Sequence, residues 1–340
     1  NGCRDRHCPK CNGLKREKWI ADLKADTLPV PYFHIVFTLP ASLESLCMKH
    51  GPEMYNLLFK SAWETICFFG NMHKYLGARM GMVALLHTWG QNLMRYTHIH
   101  CLVPAGGISA QGKWRMCKKD GKFFVHVKQL SKVFRGKFTD GLIKLQEQGT
   151  IKLEDGSLVK GQKYKHPLYK NKWVVYAKKP LPNCDNVVEY IGRYSHRIAI
   201  SNHRIKSFEN GKVGFSWIDY RTAKAGVMPL DAAQFLKRFF SHVLPVGFMK
   251  IRHYGILSSR NKSACIQSVR EQLNAIQLPN PTKDLNWMET FELLYGRHPK
   301  LCPCCKKGIM QTASVILSAH EIRIRDGPKL EENVGFNKRQ

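Results

Sequence analysis

The sequence predicts an α+β fold, in which helices pack on an antiparallel sheet. The order of elements in the first 107 residues, strand, helix, strand, strand, favours this class over a parallel α/β arrangement. The hydrophobic fraction of 44% and the mean hydropathy of -0.33 are typical of a soluble globular protein. No apolar run is long enough to cross a membrane, so no membrane partner is expected.

Four segments predict the first three strands of the sheet and the helical region between the first two. Residues 31–40 (PYFHIVFTLP) are apolar, β-branched and aromatic between two prolines, which predicts a strand. Residues 41–80 have apolar side chains at helical spacing. A second strand is predicted over 81–93, entering a turn near Gly90, and a third over 97–107, antiparallel to the second.

The rest of the chain, before its last 80 residues, is predicted to form a hairpin, three helices and a strand. A hairpin is expected around a Lys-Asp-Gly turn within 113–127. Later segments are predicted as helix over 130–149, helix over 183–201, strand over 211–220 and helix over 229–245. The last 80 residues are predicted as a looser helical region.

These signals suggest three domains. We expect a zinc-binding segment over 1–27, a catalytic domain over 28–258 with a basic insertion near 108–170, and a basic helical C-terminal region over 259–340. The last region contains a second Cys-x2-Cys at Cys302 and Cys305, without another cysteine pair after it to complete a zinc ribbon.

The chain is strongly basic along its whole length. It has 54 Lys and Arg against 25 Asp and Glu, a formal charge of +29. A charge of that size opposes compactness unless a polyanion relieves it, and phosphate backbones are the usual partner. Nucleic acid is therefore the expected partner, with ribosomal, membrane-surface and heparin-type partners as alternatives.

The first cysteines have metal-ligand spacing. Cys3, Cys8 and Cys11 form C-x4-C-x2-C with His7 adjacent, which suits tetrahedral zinc in a reducing cytosol. Three cysteines are one ligand short of a full set unless His7 or a further residue supplies the fourth. Isolated surface thiols are the alternative.

A histidine pair suggests a second metal site. His98 and His100 alternate on the third strand and therefore point to one face. The third ligand is expected from the neighbouring strand, where His87 and Gln91 compete. Three such ligands with open positions would suit Mg, Mn or a similar divalent ion. The alternative is a pair of ordinary strand histidines.

A tyrosine pair offers a nucleophile. Tyr190 and Tyr194 are four residues apart on a predicted helix, so their hydroxyls project in similar directions. Arg193, Arg197 and Arg204 crowd around them, as a DNA phosphate would require. The alternative is that both rings are core aromatics on the apolar stripe of that helix.

A lysine-rich and aromatic stretch, residues 163–179, is a further candidate for DNA contact. Lys172 and Trp173 would supply a phosphate contact and a stacking platform for a base. An exposed edge strand with solubilising lysines explains the same composition.

The motifs together resemble a known family. A histidine, an apolar residue and a histidine on a strand, followed by Y-x3-Y on a helix, is the signature of the two-tyrosine HUH endonucleases. The strings RHCPKC, FHIVFTLP, LLHTWGQNL, HIHCLVPAGG, WVVYAKKP and YIGRYSHRIAISNHRI resemble, in order, the transposases of the insertion-sequence ninety-one group.

The resemblance implies an HUH-like fold and rolling-circle transposition. One tyrosine would attack single-stranded DNA at the element's end, leaving a 5′-phosphotyrosine and a free 3′-hydroxyl, and the second would serve strand transfer. It places a metal at His98 and His100, favours His87 over Gln91 because related relaxases have a histidine eleven residues before the pair, and assigns zinc to the first cysteines. We expect a bacterial cytoplasmic, nucleoid-associated protein. The rival interpretations are a replication initiator or relaxase with the same chemistry, and a non-catalytic zinc-dependent DNA-binding protein.

Overall fold

The computed structural model describes residues 12–153, 158, 162, 166–171, 173–178, 188, 192, 199–219, 222–276 and 279–311. The chain divides into two compact units, one within residues 1–284 and the other within 285–340. Within the described ranges, no helix has the length and apolar character needed to cross a bilayer.

Several strands of the first unit lie close to the predicted positions, whereas those at 205–209, 225–231 and 251–255 were not predicted. The described strands are β1 (Tyr32–Thr38), β2 (Gly81–Trp89), β3 (Arg95–Pro104), β4 (Gly106–Ile108), β5 (Trp114–Met116), β6 (Val175–Ala177), β7 (Ile205–Glu209), β8 (Lys212–Ile218), β9 (Ala225–Asp231) and β10 (Ile251–Gly255).

Helices fill the connections between these strands. The described helices are α1 (Gly13–Ala25), α2 (Glu44–Lys49), α3 (Gly51–Asn71), α4 (Val127–Glu147), α5 (Pro167–Lys170), α6 (Ala232–Phe240) and α7 (Lys262–Gln272) in the first unit, and α8 (Trp287–Tyr295) in the second. The α+β class is therefore confirmed, and its antiparallel sheets are consistent with an HUH-like fold.

A five-stranded antiparallel sheet is the centre of the first unit. Its strand order is β10-β2-β3-β1-β6, with β3 in the middle. The connection between β2 and β3 is short, so the two strands form the hairpin that the sequence predicts. The predicted hairpin at 113–127 is smaller than expected, because β5 pairs with β4 and only Lys118 and Phe123 bridge around the Lys-Asp-Gly turn.

One face of this sheet is apolar and packs against α3 and α4. Phe37 and Ile99 lie opposite each other on β1 and β3. They belong to one buried cluster with Leu58 of α3 and with Phe134 and Phe138 of α4. The Phe37 and Phe134 rings lie 4.8 Å apart. This packing makes the central strand β3 rigid.

The opposite face carries His34, His87, His98 and His100, and we call it the histidine face. Strand pairing dictates this grouping: His87 lies directly opposite His98, and Thr38, on the same face of β1 as His34, also lies opposite His98.

Two helices cover one half of the histidine face. Leu23 of α1 and Ile266 of α7 form a buried cluster with Val83 and Leu102 of the sheet. Helix α7 thus packs within the first unit. The half that holds the histidines lies beside a second, smaller sheet.

The smaller sheet has the order β7-β8-β9 and packs with α6. Its buried cluster includes Phe215 of β8, Phe235 of α6 and Leu93 from the turn between β2 and β3. The tip of the β2–β3 hairpin is thus held against the smaller sheet, and a cleft is left between them beside the histidines.

Candidate metal centre

Three imidazoles converge at the end of the β2–β3 hairpin. The ligand nitrogens of His87, His98 and His100 all lie within 4.8 Å of one another. Nε2 of His100 is 3.2 Å from Nε2 of His98 and 3.1 Å from Nδ1 of His87. The pairing of β2 with β3 produces this cluster because His87 and His98 are cross-strand partners.

These separations fit one bound ion. Two nitrogens held at about 2.1 Å from a metal lie about 3.0–3.4 Å apart when the angle between them is between a right angle and tetrahedral. Imidazole nitrogens bind divalent transition metals readily. Among the described residues, this is the one cluster of three His, Cys, Asp or Glu side chains with such spacing.

The cluster is electrically neutral at ordinary pH. Burial lowers the pKa of His98 to about 4. Burial, followed by the neighbouring imidazoles, lowers the pKa of His87 and of His100 well below the usual value. Each ring therefore has one unprotonated nitrogen available, as metal binding requires.

Hydrogen bonds orient two of the rings. Nδ1 of His98 donates to the carbonyl oxygen of Tyr96 at 2.7 Å, which leaves Nε2 unprotonated and directed into the cluster. Nδ1 of His100 lies 2.9 Å from Nε2 of His34, and the two ring planes are within 19° of each other with centroids 5.1 Å apart. With Nε2 of His100 as ligand, its Nδ1–H donates to His34.

His34 is a functional candidate that the sequence analysis missed. It is 5% exposed on β1, and burial, followed by the charge of Lys178, lowers its pKa to about 4. The sequence contains one indication of its role, because His34 is a polar residue in an otherwise apolar strand segment.

Glu44 is a second residue that the sequence did not single out. Its carboxylate accepts from the backbone N–H and the hydroxyl of Thr97, each at 2.7 Å, and pairs with Arg95 at 3.3 Å. Arg95 also donates to the hydroxyl of Tyr55. This network fixes β3 immediately before His98.

A cleft of about 610 Å³ opens at the three histidines. Its walls include Trp89 and Tyr96 of the β2–β3 hairpin and Trp217 of β8. The Trp89 ring stacks on the His87 ring at 4.7 Å, and Tyr96 is 47% exposed. The cleft therefore combines open ligand positions with aromatic surface.

Gln91, the alternative third ligand, does not lie on the strand. Strand β2 ends at Trp89 after an irregular step at Thr88, and Gln91 lies exposed in the following turn. His87 is the side chain that reaches the pair.

Arg204, which the sequence predicts to contact DNA, has intramolecular contacts at the edge of the cleft. Its guanidinium donates to the carbonyl oxygens of Ser216 at 2.8 Å and Gln91 at 2.5 Å, and it lies over the Phe215 ring. Arg204 thus ties β8 to the β2–β3 turn and shapes the cleft.

Trp173 requires a correction. It is 4% exposed, and its ring packs against Phe134 and Phe138 while its Nε1 donates to the carbonyl oxygen of Leu168. No face of the indole is open for stacking on a base, so the sequence-based assignment of Trp173 to DNA contact is wrong.

The other predicted site residues lie outside the described residues. They are Tyr190, Tyr194, Arg193, Arg197, Lys172, Cys3, Cys8, Cys11 and His7.

Comparison with known proteins identifies the family. Residues 81–264 match the family model described as "Putative transposase" (Y2_Tnp), and residues 1–39 match the "Transposase zinc-binding domain". "Putative transposase y4qJ" of Sinorhizobium fredii (strain NBRC 101917 / NGR234) is 39% identical over 324 residues, covering 93% of this chain and 81% of the relative.

A second similar protein is also named a transposase. The "Transposase for insertion sequence element IS801" of Pseudomonas savastanoi pv. phaseolicola is 27% identical over 321 residues, covering 93% of this chain and 75% of the relative. No solved structure matches the chain significantly. The matched regions include the three histidines and the first cysteines, and the chain therefore belongs to the insertion-sequence ninety-one type of transposases, with the zinc-binding domain of that family at its amino-terminal end.

Proposed function

We propose that this transposase cleaves and rejoins single-stranded DNA at the ends of a mobile element, through 5′-phosphotyrosine intermediates, in rolling-circle transposition at the bacterial nucleoid in the cytoplasm. The observation that carries the proposal is the convergence of three neutral imidazoles, His87, His98 and His100, at an open cleft. Such a site suits a divalent ion with free positions for a phosphate.

The three histidines would hold Mg or Mn. When bound there, such an ion withdraws charge from a non-bridging oxygen of the scissile phosphate. His34 and the carbonyl oxygen of Tyr96 keep His100 and His98 in the ligand orientation. Because these rings are fixed by the sheet, little reorganisation is needed when a phosphate binds.

The cleft suits one strand rather than a duplex. Trp89, Tyr96 and Trp217 line a space of about 610 Å³, which would hold a nucleotide or two with their bases unpaired and stacked. The +29 charge of the chain supplies long-range attraction for the phosphate backbone.

The nucleophiles are Tyr190 and Tyr194. Support comes from two described residues of the same segment, Val188 and Gly192, both helical. Val188 is 1% exposed in the cluster that covers the histidine face. At Gly192 a Cβ would come within 2.4 Å of Ile20 of α1, which also contributes to that cluster.

In the cleavage step, the tyrosine oxygen forms a bond to phosphorus while the bond from phosphorus to the 3′ oxygen breaks. The phenol loses its proton and the departing 3′ oxygen gains one, so a 3′-hydroxyl and a 5′-phosphotyrosine result. Attack of a 3′-hydroxyl on the phosphotyrosine reverses the exchange, which rejoins DNA without an external energy source.

The remaining assignments extend the same proposal. Arg193, Arg197 and Lys172 would contact phosphates. Cys3, Cys8, Cys11 and His7 would hold zinc in a segment ending near residue 27, ahead of a catalytic domain that extends to about residue 258; support comes from the zinc-binding domain match over residues 1–39.

A comparison of cleavage with binding tests the proposal. The double variant His98→Ala/His100→Ala should cleave a labelled single-stranded oligonucleotide spanning an element end at least about 10²-fold more slowly in Mn²⁺, while its affinity for that oligonucleotide is retained. The matched control is His253→Ala, on the same sheet face but outside the cluster. Unchanged cleavage by the double variant would refute the role of the cluster.

A further inference from the structure

The second compact unit contains a cysteine loop that the proposed DNA chemistry does not use. Its described part begins with α8, which starts at a capping box formed by Asn286 and Glu289 and ends at Gly296. The loop that follows, Cys302 to Gly308, we call the thiol loop. None of its cysteines is in a disulfide.

The backbone of the thiol loop forms a closed turn. The N–H of Cys302 donates to the carbonyl oxygen of Gly308 at 2.7 Å, and the N–H of Lys306 donates to the carbonyl oxygen of Cys302 at 2.9 Å. Leu301 and Ile309 bridge in antiparallel fashion at its base. The two cysteines at either end of Cys-x2-Cys are therefore held in one tight turn.

Sγ of Cys305, the second sulfur of the pair, accepts a backbone hydrogen bond. The N–H of Gly308 donates to Sγ of Cys305 at 3.3 Å. The N–H of Lys307 and the thiol of Cys302 also lie close to this sulfur. Backbone N–H groups that donate to sulfur stabilise the thiolate, which is the metal-binding form of cysteine.

The backbone at Lys306 is also unusual. Its φ is 55°, in the left-handed region that a lysine rarely adopts. Such conformations persist where surrounding structure over-determines them. Here the turn directs the N–H groups of residues 307 and 308 back toward Cys305.

We infer that Cys302 and Cys305 bind a zinc ion, as a metal centre distinct from both the histidine cluster and the first cysteines. Cysteine pairs separated by two residues in a tight turn with N–H groups directed at sulfur match the thiolate half of tetrahedral zinc sites. The exposed sulfur of Cys305 is open to an incoming ion.

The pair supplies two ligands of a usual set of four. No third His, Cys, Asp or Glu of the described part of the chain joins it within ligand distance, and Cys304 of the same loop lies outside such a group.

Cobalt substitution and metal counting test this inference. The full-length chain carrying Cys8→Ser/Cys11→Ser, which removes the amino-terminal site, should still bind about one thiolate-coordinated Co²⁺ per chain, seen by its thiolate-to-cobalt charge-transfer band. Adding Cys302→Ser/Cys305→Ser should abolish that band and the corresponding zinc content. Adding Cys304→Ser instead is the matched control and should leave both unchanged.

Three results would overturn the inference: an unchanged band after Cys302→Ser/Cys305→Ser, an equal loss with Cys304→Ser, or no band before either addition. Circular dichroism of each variant separates metal loss from unfolding, and the single variant Cys305→Ser serves as a milder second test. The oligomeric state with and without metal then shows whether a second copy completes the site.

Discussion

Replacement of His34 by phenylalanine is the most informative perturbation of the metal centre. His34→Phe places a somewhat larger, apolar ring at a residue that is 5% exposed, where the imidazole centroid lies 5.1 Å from that of His100. It removes the Nε2 acceptor that lies 2.9 Å from Nδ1 of His100. The substitution thus removes the hydrogen-bond acceptor while keeping an aromatic ring beside the cluster.

The magnitude follows from the role of that hydrogen bond. An acceptor on the second nitrogen of a ligating histidine fixes its tautomer and raises its basicity, and loss of such partners typically lowers metal affinity by about 10–100-fold. That range corresponds to about 1.4–2.8 kcal/mol. The cost of removing one partner of a buried hydrogen bond, about 1–3 kcal/mol, agrees with it.

Calorimetric titration with Mn²⁺ measures this effect without reference to activity. His34→Phe should bind Mn²⁺ about 10–100-fold more weakly than the wild-type chain. His253→Phe, on the same sheet face at β10, is the matched control and should bind Mn²⁺ normally. Equal affinities for His34→Phe and wild type, or equal losses in both variants, would refute the positioning role of His34.

Three further predictions concern stability and metal content. Burial lowers the pKa of His242 to about 4. As pH falls below about 6.5, the unfolded state therefore takes up a proton before the folded state does. His242 should thus lower the free energy of unfolding by about 2 kcal/mol as pH falls from about 7 to about 5. Urea unfolding should therefore show a weaker acid dependence in His242→Gln, and parallel pH curves would contradict this. Gly255→Ala should lower the free energy of unfolding by about 1–3 kcal/mol, since φ is +60° and a Cβ would lie 2.0 Å from the carbonyl oxygen of Met80; an unchanged melting temperature would show that the backbone relaxes. Cys8→Ser/Cys11→Ser should reduce bound zinc, and equal metal content in this variant would exclude the amino-terminal site.

The histidine cluster was predictable because strand geometry is periodic. Alternation places His98 and His100 on one face from the sequence alone, and a short β2–β3 connection brings His87 opposite His98. His34 was not predictable in the same way. Its proximity to His100 depends on how β1 pairs with β3, and a register between distant strands cannot be obtained from local pattern.

Composition does not distinguish a buried side chain from a DNA-binding one where burial depends on tertiary packing. Lysines and aromatics around Trp173 fit a DNA-binding surface and a covered strand end equally well. The packing of α4 against Trp173 places this side chain in the core. Arg204 is predicted to contact phosphate because of its charge, and its guanidinium also donates to the carbonyl oxygen of Gln91 in the β2–β3 turn. Neither contact has a signal in the local sequence.

Transfer of label in a denaturing gel is the direct test of covalent attack by Tyr190 and Tyr194. With an oligonucleotide labelled on the 3′ side of the cleavage point, the wild-type chain should carry the label as a covalent adduct, whereas a label on the 5′ side should be released on a fragment ending in a 3′-hydroxyl. The variant Tyr190→Phe/Tyr194→Phe should form no adduct. Persistence of the adduct in that variant, or retention of the 5′ label by the protein, would contradict a 5′-phosphotyrosine formed at Tyr190 or Tyr194.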